Sequence, residues 1–351
     1  MELQLGTRRI GQGAPCFIIA EVAQTHDGSL GLAHAFIDAA ARAGADAIKF
    51  QTHIAEAEST RDEPWRVAFS RQDASRYDYW KRMEFSAEQW AGLRDHADEK
   101  GLVFLSSAFS AEAVHLLDGL GMPAWKVGSG EFRSDELLAA MMATGKPILF
   151  STGMSNWSEI AEAAERFRRA DVAFALFQCT SKYPSPIEQV GLNVVDEMRA
   201  RFHCPAGLSD HTGRVEPSLA AVSRRFDLLE VHVAFDRQMF GPDVPASLTF
   251  QELAQVVKLR DACAVMDAHP VDKDALASDL SEMRSIFTKS LAPARRLTAG
   301  TVLTADMITA KKPGSGIPAT AKNQVIGRTL ARDVSPDRLL HPEDLVGGLS
   351  R

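Results

Sequence analysis

A (β/α)8 TIM barrel followed by a small β-rich domain is the fold class this sequence predicts. Three observations carry that expectation. Eight short apolar runs of strand type, each followed by a stretch with helical spacing, fill roughly 250 residues, the usual size of such a barrel. Polar and ionisable residues close run after run at the same end, and the C-terminal end of the strands is where a barrel keeps its chemistry. No GxGxxG turn follows the first run, and a doubly wound sheet would concentrate its polar residues at one switch point instead.

In order, Leu3 to Arg9 predicts a hairpin with a turn near Gly11–Gly13. Cys16–Ala23 is the first barrel strand. It breaks at Gln24–Gly28 into Leu30, Ala33, Ile37 and Ala40, a helical spacing that Gly44 stops. Further strands are expected at Ala45–Gln51, Leu102–Phe109, Ala124–Glu131, Pro147–Thr152, Val172–Ser181, Ala206–Thr212 and Leu228–Asp236. Helices are expected at Ala87–Glu99, Ala111–Leu120, Ser134–Thr144, Trp157–Arg169, Val194–Phe202, Pro217–Arg225 and Phe250–Val265. One connection, from Gln51 to Ala87, is long, charged and rich in aromatics (Trp65, Tyr77, Tyr79, Trp80). Loops of that length are lids or carry short helices of their own, and this one reads as part of a substrate wall or as a surface packed on a partner. The resulting division is a barrel over 1–270, an acidic linker with some helix over 271–286, and a β-rich module over 287–351 that is small enough to need something to dock on.

Composition narrows the function classes. A formal net charge of -7 speaks against nucleic acid as a partner, so any anionic ligand must be met by local lysines. Cys16, Cys179, Cys204 and Cys263 form no CxxC pair, which fits a reducing cytoplasm. The N-terminus has no apolar segment of signal-peptide type and no run reaches membrane-spanning length, so no membrane role is expected.

The strand ends supply the chemistry. Glu230 and His232 share one strand face, as do Ser209 and His211 and, in DAIKFQ, Lys49 and Gln51. A carboxylate and two imidazoles on neighbouring strands can hold a divalent metal with positions left open, although each histidine alone reads more readily as a satisfied core residue. Lys49 and Lys126 with Ser107, Ser129 and Ser151 are what an oxyanion needs in a dry pocket. Glu21, Glu131 and Asp243 add carboxylates, and Tyr183 a phenol suited to a polyol. This inventory suggests a metal-assisted lyase, aldolase or synthase acting on a phosphorylated substrate.

As an ordered set, IIAEVAQTHDG, GADAIKFQT, FLSSAF, WKVGSGE, FSTGMS, CTSKYPSP, GLSDHT and EVHVAFDRQMFGPD resemble the motifs of the sialic acid synthase family, and KKPGSGIP with VIGRTLARDV resembles its C-terminal antifreeze-like (SAF) domain. The resemblance implies a cytoplasmic transferase that condenses phosphoenolpyruvate with an N-acetylated hexose such as N-acetylmannosamine, giving a nonulosonic acid and phosphate. It implies that His211 and His232 ligate Mn²⁺, with Mg²⁺ or Co²⁺ as alternatives. Lys49, Ser107, Lys126, Ser129, Ser151 and Ser209 match phosphoenolpyruvate-binding positions. Glu21, Gln51, Tyr183 and Asp243 match positions expected at the acceptor sugar, with Lys312 where the SAF domain usually presents Arg. Glu21, Glu131 and Glu230 are the candidates for acid/base work. The family's domain-exchanged homodimer is the expected assembly. Thr25, Ala23 and Ala108 also depart from the family pattern and leave the acceptor open. Two other readings compete: a 3-deoxy-octulosonate or heptulosonate type synthase, which needs a second phosphate site, and a non-catalytic carbohydrate-binding barrel.

Overall fold

The expected eight strands are present in the computed structural model, which describes residues 3–349. Residues 1, 2, 350 and 351, the extremities of the expected first and last domains, lie outside the described residues. After a hairpin of β1 (Leu3–Leu5) and β2 (Arg8–Ile10), the strands β3 (Phe17–Ala23), β4 (Ala47–Thr52), β5 (Val103–Ala108), β6 (Trp125–Val127), β7 (Ile148–Ser151), β8 (Phe174–Cys179), β9 (Ala206–Asp210) and β10 (Leu228–Ala234) pair in parallel, each with the next. β10 pairs with both β9 and β3, and the sheet closes into a barrel. A short β11 (Leu248–Thr249) adds to β10.

Alternation along each strand sorts the two faces. Outward residues such as Ile18, Ile48, Phe104, Phe150, Leu208 and Val231 join the layer packed against the helices. Inward residues low in the barrel are apolar: Phe17, Ile19, Ala47, Leu105, Ala124, Leu149, Ala175 and Leu228. Leu3, Leu5 and Ile10 of the hairpin belong to that same cluster, so the hairpin plugs the N-terminal end. Two residues beyond Ile19, Ala47, Leu105, Ala124, Leu149 and Leu228 the inward positions turn polar, whereas β8 keeps an apolar Phe177. The turn that joins the two strands falls at Gly6, with φ +58, and the expected turn at Gly11–Gly13 follows the hairpin, closed by the Ala14 amide donating to the Gly11 carbonyl. At the inward Gly207 a side chain has no room, because a Cβ there would lie 2.0 Å from the Leu228 carbonyl oxygen.

The helices have local reasons to begin and end where they do. Ser29 accepts from the Leu32 amide to start α1 (Leu30–Ala43), and Gly44 in the left-handed region ends it. The long connection carries α2 (Ala55–Glu58) and α3 (Arg76–Met83) before α4 (Ala87–Glu99), which opens on a Ser86/Gln89 capping box. The ring is completed by α5 (Ala111–Gly119), α6 (Asp135–Ala143), α7 (Trp157–Arg169), α8 (Leu192–Phe202), α9 (Val215–Ser223) and α10 (Phe250–Ala268).

The chain divides into two units between Ala268 and His269. The stretch read as linker is mostly helical, with α11 (Lys273–Asp279) and α12 (Ser281–Phe287). Beyond it, β12 (Ser290–Pro293) pairs antiparallel with β13 (Ile308–Lys311), and α13 (Lys322–Val325) follows. Most other pairing in this unit is by isolated bridges, so Gly and Pro turns cut its strands shorter than the sequence alternation suggests. Leu291, Ile308, Ile317, Val325, Leu330 and Leu340 form its own core.

Candidate active site

The inward positions above the apolar floor converge on a cavity of about 560 Å³ at the C-terminal end of the barrel. Its centre is an alternating charge quartet. Lys49 Nζ lies 2.8 Å from Glu21 Oε2 and 3.9 Å from Glu230 Oε2, and Lys126 Nζ lies 3.4 Å from Glu230 Oε1. The register sets Glu21 directly beside Lys49 across β3 and β4, while Glu230, paired with Ser209 across β10 and β9, reaches both lysines across the barrel interior.

Two hydroxyls serve the lysines. Lys49 donates to Ser107 Oγ at 3.2 Å and Lys126 to Ser151 Oγ at 2.7 Å. Ser209 donates to Glu230 Oε1 at 3.1 Å.

All four ionisable groups are buried, and their titration separates accordingly. Burial opposes the charge on Glu230, but Lys126 and Lys49 outweigh it and hold the carboxyl at about 2. Burial pushes Glu21 up to about 7, with Lys49 opposing and Glu230 adding to the rise. Burial also acts against the Lys49 charge, yet Glu21 and Glu230 leave its pKa raised; for Lys126 burial prevails and lowers it. One carboxylate is thus firmly ionised beside another poised near neutrality.

Ser129 extends the cradle. Its hydroxyl lies 2.9 Å from Cys179 Sγ and accepts from the Gly153 amide at 3.0 Å. A Cβ on Gly153 would stand 2.5 Å from Ser181 Oγ, 2.7 Å from Cys179 Sγ and 2.9 Å from Ser129 Oγ, so this corner is packed too closely for any residue but glycine.

The two histidines face each other with ring centroids 5.3 Å apart. The Thr180 carbonyl, 2.9 Å from His211 Nδ1, can only accept, so Nδ1 carries the proton and Nε2 offers a lone pair. Tyr183 Oη lies 3.1 Å from that Nε2. His232 Nδ1 is buried and has no partner among the described residues. Burial lowers both imidazoles to about 3, with His232 adding to the drop at His211 and Glu230 opposing it at His232. Two neutral rings, His232 Nδ1 without a partner among the described residues and His211 Nε2 met only by hydroxyls, fit a divalent cation. The cavity lining, six carboxylates against two lysines and two arginines, also favours one electrostatically. Among the described residues no three His, Cys, Asp or Glu side chains converge on one point, so protein would supply the two imidazoles and leave the other positions to water or ligand.

Gln51 donates to Glu21 Oε1 at 2.9 Å and accepts from Gln24 at 3.0 Å. Gln24 in turn reaches His53 Nε2 at 2.6 Å, and its own Oε1 is buried without a partner among the described residues. His53 is sandwiched between Trp80 and Phe109, centroids 4.1 and 4.7 Å away, and bonded to Glu58.

The long connection therefore forms a wall of the cavity, through Trp65, Arg66, Phe69, Arg76, Tyr79 and Trp80, whereas Tyr77 is not part of the lining. Arg66 donates to Asp243 Oδ1 at 3.0 Å. Burial raises the Asp243 pKa and Arg66 opposes it.

Glu131 sits apart from the quartet on the cavity rim, half-buried and bonded by Ser134. Lys312 belongs to the second unit, with Nζ 5.0 Å from the centre of the Phe287 ring. Ser106 and Gln178 also close strands, but they face outward, to Thr52 and to the Val190 carbonyl. Sequence reasoning missed Arg66, Gln24, His53 and Cys179. Cys179 had a signal, an inward position two residues beyond Phe177; Arg66 had none.

Set beside known proteins, the chain matches the NeuB family model over residues 36–269 and the SAF domain model over residues 288–346. It is 31% identical to the N,N'-diacetyllegionaminic acid synthase of Campylobacter jejuni, with 92% of this chain and 98% of that protein covered. It is 32% identical to the N-acetylneuraminate-9-phosphate synthase of Homo sapiens, with 98% and 96% covered. The solved N-acetylneuraminic acid (sialic acid) synthetase from Leptospira borgpetersenii serovar Hardjo-bovis, a citrate complex, aligns with a TM-score of 0.70 at 28% identity, over 81% of this chain and 96% of that one.

Proposed function

The chain belongs to the NeuB family, and from that premise we propose that it is a phosphoenolpyruvate-dependent synthase of a nonulosonic acid, with an N-acetylated hexose as acceptor. The observation that carries this reading is the buried quartet of Glu21, Lys49, Lys126 and Glu230 with hydroxyls on both ammonium groups. A purely structural barrel gains nothing from burying four charges that apolar side chains could replace.

In this reading Lys49, Lys126, Ser107, Ser151, Ser129 and Ser209 bind the carboxylate and phosphate of phosphoenolpyruvate. Ser129, whose hydroxyl is held by the Gly153 amide, bounds the cradle on one side. Carbon 3 of the enol attacks the open-chain sugar aldehyde and forms the new C–C bond. Water adds at carbon 2, and cleavage of the C–O bond there expels inorganic phosphate, leaving the 2-keto acid. Glu21, poised near neutrality, is placed to exchange a proton with the developing alkoxide, and Gln51 holds its other oxygen. Glu230 stays ionised and holds both lysines. Glu131 is farther out, where it can meet a substrate that reaches the rim. His211 and His232 would hold Mn²⁺, which supplies Lewis acidity to the aldehyde when bound. Tyr183 and Asp243 orient the sugar.

Phosphate release tests the proposal: purified protein with phosphoenolpyruvate and Mn²⁺, with N-acetylmannosamine or 2,4-diacetamido-trideoxyhexoses, with and without chelator. Chelator-sensitive release that requires one of these sugars is the expected result. Failure to bind phosphoenolpyruvate at all would overturn the reading.

A further inference from the structure

Arg66 lies on the long connection between β4 and α4, where no motif marks it, yet it holds two groups of the acceptor end at once. Its Nη2 donates to Asp243 Oδ1 at 3.0 Å, and its Cζ lies 4.3 Å from the centroid of the Tyr183 ring. Stacking sets the plane of the guanidinium, and the carboxylate sets which edge points inward. Among the described residues Asp243 is its one hydrogen-bond partner, while the side chain remains 42% exposed where it lines the cavity. Its other N–H groups are therefore oriented in advance and open to a ligand, and what they can meet is an oxygen acceptor.

The charge around it says which kind. Arg66 is offset by Asp243, Arg76 by Glu63 at 3.3 Å, and the two lysines by Glu21 and Glu230. No permanent cation of the lining is left over for a second phosphate, and the carboxylates outnumber the cations. With the two lysines and their hydroxyls assigned to phosphoenolpyruvate, a neutral carbonyl suits a guanidinium already paired with Asp243, whereas a second phosphate would meet only paired arginines without such a cradle.

We propose that Arg66 reads the acceptor by donating from its free edge to the carbonyl oxygen of an uncharged acylamino substituent, on a sugar that carries no phosphate. The inference rests on the synthase reading above and sharpens its acceptor. It makes Arg66 a specificity residue, with Tyr183 and Asp243 as the groups that aim it.

The test is tryptophan fluorescence titration of the full chain with phosphoenolpyruvate present, since Trp65 and Trp80 share the wall. The ligands are N-acetylmannosamine, a 2,4-diacetamido-trideoxyhexose, mannose and N-acetylmannosamine 6-phosphate, with steady-state phosphate release run alongside. The variants are Arg66→Lys, which keeps the charge but loses the fork, and the double variant Arg66→Met/Asp243→Asn, which avoids stranding a buried carboxylate. Wild type is expected to bind an acylamino sugar at least about tenfold more tightly than mannose or the 6-phosphate. Both variants are expected to lose about tenfold or more in acceptor affinity, with the phosphoenolpyruvate KM within about twofold of wild type. Preference for the 6-phosphate, unchanged acceptor affinity in Arg66→Lys, or no acylamino sugar bound by wild type would each overturn the proposal. Binding that depends on Arg66 without any phosphate release would sink the synthase reading and leave the role of Arg66 standing.

Discussion

Replacing Glu230 with Gln tests the charge quartet most directly, because the amide keeps the shape and removes only the charge. Among the described residues Glu230 is the one carboxylate within ion-pair distance of Lys126, at 3.4 Å. Glu21 still serves Lys49 in the variant. Breaking a buried pair by removing one partner costs about 3–5 kcal/mol, and that is the expected loss of stability near neutral pH. The deficit also has a signed pH dependence. Lys126 already titrates below its ordinary value, and without Glu230 it must fall further. Over the interval between the two folded-state values, the variant has shed a proton that its unfolded chain and the wild type both retain. The gap between wild type and variant therefore narrows as pH rises, by up to about 1.4 kcal/mol per unit. Urea unfolding followed by intrinsic fluorescence from about pH 7 to pH 9.5 would measure it. A deficit below about 1 kcal/mol, or one that is flat with pH, would mean that the pair does not exist as described.

Three further outcomes are expected. His26, His211 and His232 all titrate at about 3 in the fold, so below about pH 6.5 the unfolded chain binds more protons and stability falls with pH. At pH 5 with chelator the loss should approach about 2 kcal/mol per histidine, and denaturation of His211→Gln/His232→Gln at two pH values should show a correspondingly smaller drop. Gly153→Ala puts a methyl into the corner bounded by Ser129, Cys179 and Ser181, and overpacking of about 1–3 kcal/mol should weaken phosphoenolpyruvate binding by calorimetry about tenfold or more. Leu5→Ala in the hairpin plug should cost about 2–5 kcal/mol in denaturant unfolding while phosphoenolpyruvate affinity is retained, since the residue is fully buried and far from the charged layer.

The barrel was readable because strand alternation is short-ranged. In DAIKFQ the pleat alone puts Lys49 and Gln51 on one face, and the apolar Ala47 below them fixes which face is inside. The same rule separates Ser107 from Ser106, a distinction that a strand-end tally of hydroxyls blurs. Long-range registration is not written locally, so nothing in Glu230 says that it will sit between two lysines. The acceptor wall was even less visible. Arg66 belongs to a stretch without period or motif, and its partner Asp243 lies 177 residues away. The same limit applies to the second unit, where turns rather than alternation decide the strand lengths, and to the linker, whose α11 starts on an Asp272 cap in an otherwise polar run.

The plugged floor of the barrel also governs traffic. With Leu3, Leu5 and Ile10 filling one end among the described residues, the cavity is closed on its apolar side, so a ligand resting against the inward Lys126 is expected to arrive before one that rests against Asp243 and to depart after it. A cavity of this shape imposes a queue, first in and last out, and steady-state turnover should carry the signature of ordered rather than random addition.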